Sequence, residues 1–131
     1  MNILVGYDES ESACAAVKLA ERHAIAWNAK LVIVQTIPQQ RELSFLEIER
    51  AEKALRYNIR KLLQANNLNI ETHLVLAIEA PGAELVKFAN ENKIDEIVIG
   101  IGKKSRLGKL LFGSNAQHVI LNSPCPVVTV K

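Results

Sequence analysis

Asp8 closes the tripeptide Gly6-Tyr7-Asp8 and leaves a carboxylate just beyond a short apolar run. Far along the chain, the segment Gly100-Ile101-Gly102-Lys103-Lys104-Ser105-Arg106 mixes glycines with basic residues, and Gly113-Ser114-Asn115 follows it. These residue types suit an anion. Glycine lets backbone N–H groups approach a phosphate closely, and a helix N-terminus adds unpaired donors and a favourable dipole. Gly113-Ser114 before a helix supplies that, with the Ser114 hydroxyl as a further donor. The dipole alone is worth about 0.3–1 kcal/mol at an exposed end, so several N–H bonds and a lysine are needed for useful affinity. Two familiar phosphate motifs fail when checked literally. Between Gly102 and Gly108-Lys109 there is one residue too many for a P-loop, and Leu110 stands where Ser or Thr would hold magnesium. Gly100-Ile101-Gly102 lacks the third glycine of a dinucleotide fingerprint, because Ser105 occupies that place.

Other chemistries find no support. His23, His73 and His118 fall on separate elements with no shared spacing, and no serine stands beside a histidine and an acid in a nucleophile turn. No pair of carboxylates suggests hydrolysis. Cys14 and Cys125 are far apart, lack metal-ligand spacing and lie among apolar neighbours, so they read as small core residues. The net charge of +2 argues for neither nucleic acid nor a membrane surface, although Lys103, Lys104, Arg106 and Lys109 form a local basic cluster. No apolar run approaches the ~20 residues that span a bilayer, and no basic region opens the chain. A cytoplasmic protein is expected.

The elements that must position these residues follow from periodicity. Short apolar runs at 3–7, 31–36, 70–78, 94–101 and 127–130 read as buried strands, the fourth centred on Ile97-Val98-Ile99. Ser10 or Ser12 can cap a first helix that carries Ala13, Val17, Ala20 and Ala24 on one face and closes at Asn28. Residues 43–65 read as the longest helix, ended by Asn66-Asn67. Pro81 sets the first turn of a third helix reaching about Asn92, and Gly113-Ser114 opens the last. At 131 residues, 49% hydrophobic and 5% aromatic, the chain is expected to form one domain, 1–131, with an aliphatic core. Strict alternation of strand and helix predicts an α/β fold, a doubly wound, five-stranded parallel sheet with helices on both faces, for which the order 3-2-1-4-5 is expected. In that order strands one and four flank the switch point, which brings Asp8 and the glycine loop to one crevice.

The glycine segment resembles the signature of the universal stress protein family. The family's ATP-binding members carry glycine, two residues, glycine, nine residues, then glycine and serine or threonine. Gly100 fits the first position and Gly113-Ser114 the last, while Lys103 occupies the middle one. Val5-Gly6-Tyr7-Asp8-Glu9-Ser10, Pro81, Ile97-Val98-Ile99-Gly100 and Cys125-Pro126-Val127-Val128 extend the resemblance over nearly the whole chain. It implies ATP as ligand, with Asp8 facing the adenosine part, Thr36 near adenine, and Gly100 bordering ribose and phosphates. Gly113, Ser114 and Asn115 would receive the phosphates. At the middle position Lys103 either obstructs, where the family's glycine serves a positive φ or a close backbone approach, or pairs its ammonium with phosphate, with Gly102 supplying flexibility one residue earlier. Whether Mg or Mn accompanies the phosphates stays open. The leading expectation is a non-catalytic, nucleotide-binding stress-response protein. Its partner is a second copy of itself, through the last strand. Two alternatives stand beside it: a nucleotide-free member working through protein contacts, and a slow ATP-hydrolysing enzyme.

Overall fold

Ile3, Leu4 and Val5 have no exposed surface, and the strand they form is the centre of the molecule. In the computed structural model, which describes residues 1–39, 42–102, 108 and 113–131, nine elements alternate. They are β1 (Asn2–Gly6), α1 (Glu11–Trp27), β2 (Lys30–Pro38), α2 (Phe45–Leu62), β3 (Ile70–Ala77), α3 (Pro81–Glu91), β4 (Glu96–Gly100), α4 (Ser114–Asn122) and β5 (Val127–Val130). All strand pairs are parallel, as the alternation predicts, and the order is the expected β3-β2-β1-β4-β5. Leu4 sits opposite Val32 on one side and Ile97 on the other. Strands buried on both faces read as continuous apolar runs for this reason. Ile3 and Val5 point into a core shared with α1 and α2, whereas Leu4 points into one shared with α3 and α4.

Helix α1 owes its ends to short polar residues. The Ser10 Oγ accepts from the Ala13 N–H, and Asn28 closes the helix at φ 51°, ψ 47°. That left-handed turn lets the Ala29 N–H reach the Ala24 carbonyl at 2.9 Å. Ala13, Ala16, Val17, Ala20 and Ala24 form the buried face. Four of these five side chains are single methyl groups, so the helix sits close to the sheet.

Helix α2 is shorter than its periodicity predicts. Ser44 and Glu47 form a capping box, so the helix begins at Phe45 rather than at residue 43. At the other end Leu63 is extended (φ −82°, ψ 142°), and the helix stops well before Asn66-Asn67. The cause is tertiary. The buried Glu21 carboxylate of α1 takes the Gln64 N–H at 3.0 and 3.2 Å, while Leu63 and Leu68 turn inward against the core. Burial of Leu55 and Ile59, worth about 1.5–3 kcal/mol each, anchors the helix.

Candidate functional site

The site begins where β1 ends. Glu9 adopts φ 69°, a left-handed conformation uncommon outside glycine, and this turns the chain sharply into α1. The turn folds Asp8 back so that its Oδ1 accepts the Ser10 N–H at 3.1 Å. One carboxylate oxygen thereby steadies the loop, and Ser10 in turn caps α1.

Beside it, β4 ends at Gly100 in close contact with the first turn of α1. A Cβ at position 100 would stand 2.4 Å from the Ser12 carbonyl carbon and 2.5 Å from its oxygen. Position 102 is similarly tight, at 2.9 Å from the Ser12 Cβ. The glycines at the end of β4 therefore answer a packing demand of the chain itself. The third wall is the start of α4. Gly113 is its N-cap in extended conformation and no side chain caps it, so its first N–H groups lack the usual side-chain acceptor. Asn115 in the first turn accepts the Gly82 N–H through its Oδ1.

Two cavities open between these walls. The inner one, about 280 Å³, is bounded mainly by Val34, Pro38, Leu85, Ile99 and Val119, with Tyr7 and Thr36 as polar groups. The outer one, about 500 Å³, is lined by Ser10, Ser12, Gly102, Gly113 and Ser114 together with Lys131 and the acidic Glu11. Asp8, Gly100, Asn115 and Ala116 belong to both. An apolar chamber thus adjoins a chamber rich in N–H and hydroxyl donors. The Tyr7 phenol is held in its neutral, donating form: burial first, then the adjacent Cys14, pushes its pKa up to about 12.

Of the residues singled out in the sequence, Asp8, Thr36, Gly100 and Asn115 line the inner chamber. Asp8, Gly100, Gly102, Gly113, Ser114 and Asn115 line the outer one. Lys103 lies outside the described residues. Sequence reasoning missed Gly82 and Lys131 and treated Ser12 as a cap alone. Lys131 reaches the outer chamber because β5 pairs Val130 with Gly100, and the Ile101 N–H binds the Val130 carbonyl at 2.7 Å. Strand register, invisible in a linear motif, places it there. Among the described residues no group of three or more His, Cys, Asp or Glu side chains could hold a metal ion. No described helix is long and apolar enough to cross a membrane.

Residues 1–131 match the model of the universal stress protein family. The chain is 30% identical to a universal stress protein of Thermus aquaticus, over 98% of this chain and 97% of that one. It is 36% identical over 89 residues to a universal stress protein of Methanocaldococcus jannaschii, an alignment taking in 68% of this chain and 51% of the other. The match thus spans about half the length of that relative. Among solved structures, the universal stress protein from Archaeoglobus fulgidus in complex with dAMP is similar, with a TM-score of 0.74 and 29% identity over 100% of this chain and 98% of that one.

Proposed function

Because the chain belongs to the universal stress protein family, we propose that it binds an adenine nucleotide, ATP, across the two chambers at the switch point. The observation that carries this reading is the shared wall: Asp8, Gly100, Asn115 and Ala116 border both the apolar chamber and the donor-rich one. A flat base fits the first, where Val34, Ile99 and Val119 offer apolar contact and Thr36 a hydroxyl. The phosphates fit the second, against the uncapped N-terminus of α4 and the Ser114 hydroxyl. Ribose then falls beside Asp8 and Gly100. The relative from Archaeoglobus fulgidus that binds dAMP supports an adenine nucleotide as the class.

The role we assign is binding rather than turnover. Serines line the outer chamber, but no histidine joins them in either described lining to act as base. The protein then acts in a stress response, in the cytoplasm, as a homodimer joined through the edge of β5. Calorimetry with ATP and mass spectrometry of ligand released from the purified protein test the nucleotide reading. A saturable one-to-one isotherm is expected, weakened about tenfold in Ser114→Ala, since charge-assisted hydrogen bonds contribute about 1.5–3 kcal/mol each. No heat up to millimolar ATP, with no nucleotide released, would overturn it.

A further inference from the structure

At the opposite end of the sheet, α2 and the beginning of β3 enclose a separate cavity of about 420 Å³. It shares no lining residue with the two chambers of the switch point. Arg56 and Arg60 line it from successive turns of α2, and Asn66 and Thr72 line it from the chain that follows. Four-residue spacing puts both guanidinium groups on one face of the helix. Glu52 stands one turn before Arg56, the spacing that ordinarily gives an ion pair, and it borders an adjoining cavity of about 210 Å³. No such pair forms. Lys53 pairs instead with Glu49, at 3.3 Å. Among the described residues, no ion pair or hydrogen bond engages the side chains of Arg56, Arg60, Asn66 or Thr72. Two cations, a carboxamide and a hydroxyl therefore border one concavity with their donors open. Leu63 and Leu68, half-buried against the core, give it an apolar side.

We propose that this cavity is a second ligand site, taking a small organic phosphate. Two guanidinium forks match the oxygens of a phosphate dianion better than one carboxylate, because each fork presents parallel N–H donors in a fixed plane. Asn66 and Thr72 supply neutral donors. Inorganic phosphate alone would leave most of the space empty, since about 420 Å³ lies within the range of small-molecule pockets, roughly 300–1,000 Å³. The remainder, beside Leu63 and Leu68, suits an apolar body joined to the phosphate. The site is independent of the nucleotide reading.

Phenyl phosphate is the probe, titrated into the full chain at constant ionic strength while backbone amide shifts are followed by NMR. Saturable shifts are expected at Leu63, Asn66, Leu68 and Thr72, with inorganic phosphate binding about tenfold more weakly because it buries no ring. Arg56→Gln and Arg60→Gln should each weaken binding about tenfold. Both side chains are exposed, so the variants keep the core intact. Saturable shifts confined to Gly113 and Ser114 would send the phosphate to the switch point and overturn the proposal. An affinity unchanged in both variants would do the same, and equal binding of the two probes would remove the organic body from it.

Discussion

Gly82 and Asn115 hold the starts of α3 and α4 together: the Gly82 N–H donates to Asn115 Oδ1 at 2.8 Å, and a Cβ at position 82 would stand 2.6 Å from the Asn115 carbonyl oxygen. The contact leaves no room for a methyl group. It also fixes the first turn of α4, which carries the open N–H groups of the outer chamber. Gly82→Ala must therefore part the two helices, at about 1–3 kcal/mol of stability. Urea unfolding should show that loss, and calorimetry should show weaker ATP binding in the same variant. Wild-type stability in Gly82→Ala would mean that the helices separate freely.

Tyr7 gives the protein an alkaline limb. Its phenol is pushed from 10.0 up to about 12 in the folded state. Below pH 10 the phenol is protonated whether folded or not, and its contribution is complete. As pH rises from 10 toward 12 the unfolded phenol ionises first, so stability falls, by on the order of 2 kcal/mol once the folded value is passed. Tyr7→Phe removes this limb. Its unfolding free energy, followed from pH 8 upward, should decline less steeply than that of the wild type. Parallel curves would show that the Tyr7 phenol does not resist ionisation.

Much of this is legible in the sequence, and what is not has physical causes. Strict alternation gives parallel pairing and crossover handedness, and Ser10, Asn28 and Pro81 punctuate helices through local bonds that a sequence displays. The end of α2 was not readable, because Glu21 reaches across from α1 to take the Gln64 N–H. Nor was the left-handed Glu9, a residue type with no special tolerance for that conformation. Gly100 signals a close approach, but that Ser12 makes it depends on how deeply α1 settles. Site residues brought in by register, such as Lys131, leave no mark in a motif.

Lys103 replaces the middle glycine of the family's pattern, and on the proposed reading its ammonium pairs with phosphate. Lys103→Gly should then weaken ATP binding about tenfold and flatten its dependence on salt. Titrations at low and high ionic strength separate the outcomes. Tighter binding in the variant would make the lysine an obstacle, and an unchanged affinity would place it in solvent.

The proposed dimer depends on which groups β5 leaves open. The Ile97 and Ile101 N–H groups bind the carbonyls of Pro126 and Val130, so alternation along the strand turns Val128 toward β4 and directs the N–H groups of Val127 and Thr129 outward. An unpaired edge of this composition invites a second copy. Thr129→Pro removes an outward donor and spares the ladder to β4. Light scattering across a dilution series should give a dimer for the wild type and a monomer for the variant, with thermal stability retained. A wild type that stays monomeric at high micromolar concentration would dismiss this assembly.

Ala13, Ala16, Ala20 and Ala24 line the underside of α1, and the crevice inherits its width from them. A helix seated on methyl groups rides low, and its first turn arrives at Gly100 with no slack. A bulkier residue at Ala20, two turns from Ser12, would act as a shim that lifts the whole rod and widens the gap at its far end. On the proposed reading, ligand affinity is thereby coupled to Ala20, which lines neither chamber. Drift along this inner face would retune the crevice while every motif residue stayed in place.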